Sequence, residues 1–432
     1  MSATTEVIIA IVAMGIMFFA GFKFKLPVGI IMTLASIVAA LIVGFGIPIQ
    51  HLIEGAFYFE NLMGLIITGM VFIGIMTSTG ALDAITRWIM YKSYTQPNIL
   101  LAILAVIIMF PAMITGSTPV AVLTTGVLVA PILLRMKIPK LETAAIIGMA
   151  ALMGQSAPPV NVMVMIICTS TFMPYEGFAL PLAILTFPLA ILSAIVLGRK
   201  YITVESLKVL VDEDLKANKI LPSGKIFVQF IPLILLVILM VLPRIWPFRF
   251  PDPSMALIFL ACGIVALFTG VKRISFWKQS LDTFNEAFVV MVLFVGMGIF
   301  VHFLSLTGGK GFLAAITVSL PQWALYISSA IMPPILGGPI VPFGTSAILG
   351  PPIVLAFSAK NAIIITSGLS LFLSLGCLAP PTALSSLFAA RIVGIENYLA
   401  VTKRCWKLAL LTGVIGFLVM YFANPIAGIL GL

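Results

Sequence analysis

The sequence predicts an all-α polytopic membrane protein: about ten transmembrane helices plus two re-entrant hairpins, in two inverted repeats that each contain a discontinuous helix. Three observations predict this class: an apolar composition, a recurrence of Gly and Pro at one spacing, and the placement of Lys and Arg. Of the 432 residues, 61% are hydrophobic and only 9% are charged. Soluble domains are nearer about half apolar and a quarter charged, so the composition indicates a chain embedded in a lipid bilayer.

Apolar runs recur along the whole chain, and roughly 20 such residues cross a bilayer as a helix. The runs fall at about 6–22, 26–46, 60–80, 98–134, 141–172, 177–198, 226–243, 254–271, 285–306, 322–357, 361–391 and 406–424. A polar stretch at 199–225, interpreted as a cytoplasmic linker, divides the chain into a first repeat, 1–198, and a second, 226–432. The four cysteines are scattered, which indicates neither a disulfide framework nor a metal site.

The two halves share Gly, Ala and Pro at an offset of 222 residues, which indicates an internal repeat. The matched positions are Pro111 with Pro333, Gly116 with Gly338, Gly154 with Gly376, Ala157 with Ala379, and Pro158-Pro159 with Pro380-Pro381.

The net charge of +10 is interpreted as a topology signal, because Lys and Arg in short loops face the cytoplasm. The basic groups after the first, third and fourth runs and at the linker can all be cytoplasmic if run 98–134 enters and leaves on one side. Each half of that run has about 16 apolar residues, which is short for a full crossing. We therefore expect a re-entrant hairpin with its tip at ITGST (114–118), an inverted second hairpin at 322–357, and both termini outside.

The runs 141–172 and 361–391 are interrupted by GQSAPP and GCLAPP. Proline removes a backbone donor and clashes with the preceding turn, so each run is predicted to be a helix with an unwound centre. The segments 47–61 and 271–287 are amphipathic, and we expect them to lie along the membrane surface.

Non-helical backbone at membrane depth is tolerated only where it is buried in protein or lines a cavity. Its carbonyls, with nearby hydroxyls, suit a hard cation such as Na⁺. The break regions contain no Asp or Glu, which disfavours a carboxylate proton relay. The candidate cation ligands are Gly116, Ser117, Thr118, Gly154, Ala157 and Pro158 in the first half, and Gly337, Gly338, Pro339, Gly376, Ala379 and Thr382 in the second.

A substrate would lie between the two hairpin tips. The polar candidates to bind it are Thr115, Gln155, Ser156, Asn161, Thr345, Ser346 and Ser385, although lone Ser and Thr in membrane helices often bond to their own helix. Arg391 fits a cytoplasmic residue of the positive-inside pattern. His51 and His302 are more readily structural than catalytic. No nucleophile, base or metal cluster can be assembled, so neither an enzyme nor a cofactor other than a coupling ion is predicted.

With these motifs, the chain resembles the large membrane subunit of a TRAP (tripartite ATP-independent periplasmic) transporter, of the dicarboxylate type within the ion transporter superfamily. The resemblance covers nearly the whole chain and is most specific at MITGSTPVAVLTTG (113–126) and LSLGCLAPPTALSS (373–386). It implies an elevator-type, Na⁺-coupled secondary transporter of small organic acids in a bacterial or archaeal inner membrane. The cation sites that it implies correspond to Ser117, Gly154 and Pro158, and to Gly338, Gly376 and Thr382. A small membrane subunit and an extracytoplasmic substrate-binding protein would be the partners, with no nucleic acid.

Three alternatives remain open from the sequence. The chain could be a stand-alone carboxylate carrier or exporter of the same fold, as a homodimer, without tripartite partners. It could also be a non-transporting scaffold subunit, or a channel. Paired mid-membrane breaks favour a transporter, because a scaffold has no need of them.

Overall fold

The computed structural model describes residues 3–46, 48–216, 222–246, 249 and 253–432. Within these residues the chain is helical and contains no strand. Eight helices are long and apolar enough to cross a membrane, and a bent helix pair makes a ninth. The predicted class of an all-α polytopic membrane protein is therefore confirmed, whereas the repeat boundaries and the orientation of the termini stay predictions. Residues 217–221 of the predicted linker lie outside the described residues.

The first half contains twelve helices, and a π-helical turn, Val122–Gly126, joins the seventh to the eighth. They are α1 (Ala3–Lys23), α2 (Val28–Ile42), α3 (Ile49–Ala56), α4 (Glu60–Ser78), α5 (Ala81–Ser93), α6 (Pro97–Thr115), α7 (Thr118–Ala121), α8 (Val127–Arg135), α9 (Lys140–Ser156), α10 (Val162–Thr171), α11 (Ala179–Gly198) and α12 (Val204–Lys216).

The second half contains nine helices, and a 3₁₀ turn, Gly376–Leu378, extends the sixth of them. They are α13 (Ser223–Ile245), α14 (Met255–Thr269), α15 (Phe276–Leu306), α16 (Gly309–Ser319), α17 (Gln322–Ala356), α18 (Ala362–Leu375), α19 (Leu384–Ile392), α20 (Tyr398–Tyr421) and α21 (Ala423–Leu430). The sequence reading did not predict α5, α12, α16 or α21.

The first hairpin turns at Gly116, which adopts a left-handed φ of 63° that favours glycine, and at the extended Ser117. Its two arms lie against each other, as shown by the Thr125 hydroxyl, which donates to the Ile108 carbonyl at 3.4 Å. The arms have 19 and 18 residues, so the predicted 16-residue arms were too short. The charge pattern fits a re-entrant hairpin and a pair of crossings equally, since both return the chain to one side.

The second hairpin bends within LGGPIVP (336–342), the Gly- and Pro-rich stretch that pairs with ITGST at the offset of 222 residues. The backbone of α17 leaves the helical region at Val341, with φ 66° and ψ 149°, rather than at Gly337 or Gly338. Val341 precedes Pro342, which accounts for its extended ψ; its positive φ is an outlier for a β-branched residue. The two glycines lie in the arm before the bend, where they form a contact surface.

The segment 271–287 is continuous with a longer helix, and its place along the membrane surface stays a prediction. Its residues from Phe276 onwards are the first part of α15, which bends by 43° between Phe276–Phe288 and Val290–Leu306. The second part of α15 crosses α2 at very close range. A Cβ on Gly296 would lie 2.0 Å from the Gly29 carbonyl oxygen, so the two backbones touch.

Ion pairs tie the ends of several helices together. The Arg404 guanidinium of α20 donates to both oxygens of Glu142 at the start of α9, at 2.8 and 2.7 Å, and Glu142 is buried. The exposed pair Arg135–Glu213, at 2.5 Å, joins α8 to the linker helix α12. The predicted linker is therefore partly helical and docked, with Leu207 buried.

Candidate functional site

A cavity of about 880 Å³ lies between two groups of elements. Helices α2, α4 and α15 form one wall, and the hairpin tips with the two helix breaks form the other. Its polar lining residues are Thr77, Ser78, Ser117, Thr118, Thr124, Gln155, Gln279, Thr283, Glu286 and Cys377. Glu286 is the one charged residue among those that line the cavity.

The first break separates α9 from α10 and is held by its own polar groups. Ala157 is extended, and its N–H donates to the Gly154 carbonyl at 3.1 Å. The Asn161 side chain caps α10 by accepting from the Val164 N–H, and its amide donates to the Ser156 carbonyl at 2.8 Å. Because neighbouring groups satisfy these backbone atoms, the unwound segment is stable at depth.

The second break repeats this construction. Ala379 is extended, and its N–H donates to the Gly376 carbonyl, also at 3.1 Å. The Pro–Pro peptide is cis at both breaks, 158–159 and 380–381. A tyrosine hydroxyl donates to the carbonyl of the second proline in each: Tyr175 to Pro159 at 3.1 Å and Tyr398 to Pro381 at 3.3 Å. The two breaks therefore share hydrogen bonds as well as sequence.

The second hairpin meets the second break through close backbone contacts and one side-chain hydrogen bond. A Cβ on Gly337 would lie 2.7 Å from the Gly376 Cα. A Cβ on Gly338 would lie 2.1 Å from the Pro380 carbonyl oxygen and 3.1 Å from that of Ala379. The Thr382 hydroxyl donates to the Gly338 carbonyl at 2.6 Å. Five residues of the second predicted cation set are thus in contact with one another: Gly337, Gly338, Gly376, Ala379 and Thr382.

The first hairpin packs on the first break in a similar way. A Cβ on Gly154 would lie 2.5 Å from the Met109 carbonyl oxygen, and one on Gly116 would lie 2.2 Å from a methyl carbon of Val162. The Val160 N–H donates to the Met113 carbonyl at 3.1 Å. These contacts place the tip at the level of the break, midway along the α9–α10 span.

A three-way polar contact joins the first tip to both breaks. Thr118 donates its hydroxyl to Gln155 Oε1, and its N–H lies 3.3 Å from the same oxygen. Cys377 Sγ lies 3.3 Å from that oxygen and 3.7 Å from the Thr118 hydroxyl. All three residues line the cavity. The first hairpin, α9 and the end of α18 therefore share one polar centre.

Of the predicted cation residues, only Ser117 and Thr118 reach the cavity; Ala157, Gly154 and Gly116 are buried behind it, and Pro158 is half-buried. Pro339 lies in the first arm of α17, half-buried.

Of the predicted substrate residues, Gln155 alone lines the cavity. The hydroxyls of Thr115 and Thr345 bond to their own helix, at Pro111 and Val341. Ser346 and Ser385 bond across helices to the carbonyls of Met163 and Gly148, at 2.6 and 2.7 Å. The Ser156 hydroxyl is buried without a hydrogen-bond partner among the described residues.

Sequence reasoning missed the polar face of α15. Gln279, Thr283 and Glu286 follow one another at steps of four and three residues, which places them on one side of a helix. That pattern was visible in the amphipathic segment 271–287, but it was interpreted as a membrane-surface helix. Cys377 was missed too, although the offset of 222 residues places it opposite Gln155.

A helical membrane protein in which two hairpins meet two broken helices beside a central cavity has the architecture of a secondary transporter. The family model of the tripartite ATP-independent periplasmic transporter, DctM component, matches residues 14–426, and the chain belongs to this family. It is therefore a multi-pass membrane transporter protein.

Two solved transporters share the fold. MtrF of Neisseria gonorrhoeae, from a class of antimetabolite efflux pumps, superposes with a TM-score of 0.56 at 13% identity, over 85% of this chain and 83% of its own. The YdaH transporter of Alcanivorax borkumensis gives 0.53 at 15% identity, over 85% and 87%. A comparison with curated proteins finds no match.

Proposed function

We propose that this transporter moves small organic anions, of the C4-dicarboxylate or sugar-acid type, across the inner membrane in symport with Na⁺. The observation that carries the proposal is the backbone contact of Gly337 and Gly338 with Gly376 and Pro380, which sets the second hairpin against the unwound carbonyls of the second break, next to the cavity-lining Cys377. Half-helix ends and unwound carbonyls of this kind coordinate coupling ions in secondary transporters.

The second cation site uses oxygen atoms only. Its ligands are the carbonyls of Gly338, Ala379 and Pro380, with the hydroxyl of Thr382, which keeps accepting capacity after donating to Gly338. Neutral oxygens at fixed positions suit a hard cation. The first site uses Ser117 and the backbone around Gly154 and Pro158, which lie at the first hairpin and its break.

The cavity gives a physical reason for coupling. An anion that enters meets Glu286 and finds no Lys or Arg among the lining residues. Two like charges in a partly dry cavity repel strongly, so the anion binds poorly unless cations bind with it. The Thr283 hydroxyl and the remaining N–H of the Gln279 amide supply donors that orient the substrate.

Movement of the substrate follows an elevator mechanism in this proposal. The hairpins, α9–α10 and α18–α19 form the moving body, which slides along the wall of α2, α4 and α15. The Gly29–Gly296 contact keeps that wall rigid. The family implies a small membrane subunit and an extracytoplasmic substrate-binding protein as partners; the runner-up is a stand-alone carrier or exporter of the same fold.

Reconstitution in proteoliposomes tests the proposal. Labelled dicarboxylates and sugar acids are offered with and without an inward Na⁺ gradient, and with and without the two partner proteins. We expect accumulation that requires both the gradient and the partners. Equal accumulation without Na⁺ would overturn the coupling, and uptake without partners would favour the stand-alone carrier. Flux that does not saturate would indicate a channel.

The variant Gly338→Ala tests the second cation site in the same assay. Its methyl group would press on the Pro380 carbonyl, so we expect Na⁺-dependent uptake to fall at least about tenfold. Gly64→Ala is the matched control, because a Cβ there meets nothing within 4 Å. Wild-type Na⁺ dependence in Gly338→Ala would remove the second site from the proposal.

A further inference from the structure

The two histidines of the chain lie side by side, although 251 residues separate them. His51 belongs to the short helix α3, and His302 lies near the end of α15. Glu54, one turn after His51, completes the group. His51 Nδ1 lies 3.1 Å from Glu54 Oε2, His302 Nε2 lies 3.4 Å from the same oxygen, and the two nitrogens are 3.3 Å apart.

Hydrogen bonds cannot satisfy all three sides of this triangle. The carboxylate oxygen only accepts, so each histidine must carry a proton on the facing nitrogen in order to bond to it. Two N–H groups would then point at each other across the third side. If one histidine loses its facing proton, the two histidine nitrogens can form a hydrogen bond with each other. The deprotonated nitrogen then turns its lone pair towards the carboxylate, which is repulsive. At least one of the three contacts is therefore unfavourable without a cation between them.

A metal ion resolves all three contacts at once. Zn²⁺ binds His nitrogen at about 2.0–2.1 Å and carboxylate oxygen at about 2.0–2.2 Å, usually as a tetrahedron, which sets its ligand atoms roughly 3.3–3.5 Å apart. The three sides of the triangle run from 3.1 to 3.4 Å. We propose that His51, Glu54 and His302 form a binding site for a divalent transition metal of the Zn²⁺ type, with water at the fourth position.

The surroundings hold the three ligands in place. The Gln50 amide donates to the other oxygen, Glu54 Oε1, at 2.9 Å, which orients the carboxylate so that Oε2 faces the histidines. Hydrogen bonds from Gln50 and then His51 also hold the pKa of the Glu54 carboxyl below its usual value, so it is ionised near neutral pH. The side chains of His51, Glu54 and His302 are 33%, 45% and 20% exposed, so an ion can reach them from solvent.

Close backbone packing fixes α3 on α15 beside the group. A Cβ on Gly55 would lie 2.7 Å from the Ile299 Cα, and one on Gly298 would lie 2.3 Å from the Gly55 carbonyl oxygen. The ligands from the two helices therefore meet without a rearrangement of the backbone. A bound ion would clamp the surface helix α3 to α15, away from the transport cavity, and this role is independent of the proposed substrate and of Na⁺.

Metal binding to purified, metal-stripped protein tests the proposal, after removal of any histidine tag. Isothermal titration with Zn²⁺ should show one saturable site, and Co²⁺ should give the visible absorption of a tetrahedral nitrogen and oxygen site. Zn²⁺ should also raise the unfolding temperature. We expect His302→Ala and the double variant His51→Ala/His302→Ala to weaken Zn²⁺ binding at least about 100-fold, more than the loss of an outer-shell partner does.

Glu60→Gln is the matched control, because this nearby exposed carboxylate is outside the group and should leave Zn²⁺ affinity unchanged. Size-exclusion profiles and metal-free unfolding temperatures show whether each variant folds. If His302→Ala does not fold, His51→Gln replaces it, and the Co²⁺ spectrum of the wild type stands by itself. No saturable Zn²⁺ site in the wild type, or full binding in the double variant, would overturn the proposal.

Discussion

Cys377 Sγ lies 3.3 Å from Gln155 Oε1, and the two residues occupy the same place in GCLAPP and GQSAPP, 222 positions apart. Thr118 contacts both residues, so one side chain at the first hairpin tip touches both helix breaks. Movement of either break would change the same group of atoms.

The first prediction concerns this centre. Thr118→Val keeps the shape of the side chain but removes the hydroxyl donor to Gln155 Oε1, which keeps the Thr118 N–H and Cys377 Sγ as neighbours. Loss of one hydrogen bond costs about 0.5–1.5 kcal/mol. We expect transport to fall roughly threefold to tenfold in the proteoliposome assay. Thr412→Val is the control, because that buried hydroxyl bonds only to its own helix at Leu408. Equal losses in both variants would argue against a special role for Thr118.

The second prediction concerns charge in the cavity. Glu286→Gln removes the one charged lining group, so repulsion of an anionic substrate should fall. We expect the apparent KM for a dicarboxylate to drop by about fivefold to tenfold, with the larger gain at low Na⁺. Asp282→Asn, one turn earlier on α15 and outside the lining, should leave KM unchanged. An unchanged or raised KM in Glu286→Gln would contradict the electrostatic reason given for coupling.

The third prediction concerns glycine contacts in the second break. Gly376→Ala would place a Cβ 2.7 Å from the Gly337 Cα and so force the two backbones apart, and overpacking of this kind costs about 1–3 kcal/mol. We expect a lower unfolding temperature and a weaker Na⁺-dependent stabilisation of the protein. Gly15→Ala, where a Cβ meets nothing within 4 Å, should change neither quantity.

The fourth prediction separates stability from transport. Glu142→Gln breaks the two-bond pair with Arg404, in which Glu142 is 9% exposed and Arg404 34% exposed. Loss of one partner should cost roughly 2–3 kcal/mol, less than for a fully buried pair. Unfolding temperature should fall by several degrees while KM and Na⁺ dependence persist. The exposed pair gives the comparison: Glu213→Gln, 58% exposed, should change stability by less than about 1 kcal/mol.

The sequence alone was sufficient where structure follows from composition and backbone chemistry. The apolar runs predicted the membrane class, and Pro158-Pro159 and Pro380-Pro381 marked both helix breaks, because proline cannot continue a helix. The turn of the first hairpin was predicted within ITGST, where Gly116 adopts the left-handed φ that favours glycine. The resemblance to the TRAP transporter family is confirmed.

The features that were missed depend on long-range packing. Whether a polar helix face meets lipid headgroups or a cavity depends on its neighbours, so the place of Gln279, Thr283 and Glu286 in the cavity lining was not predicted. Nothing local brings His51 to His302, because their meeting depends on how α3 lies across α15. Within LGGPIVP (336–342) the sequence did not show which residue bends, and the structure bends at Val341, the residue before Pro342, and not at a glycine.

Gly337 and Gly376 have a mechanical consequence. Helices usually slide past each other by small changes of side-chain rotamer, and those side chains act as a compliant layer. Here two main chains meet with no such layer between them. A small displacement of the second helix break would therefore move the second hairpin with it. This junction is a stiff mechanical link between the proposed cation site and the hairpin that would open or close the cavity.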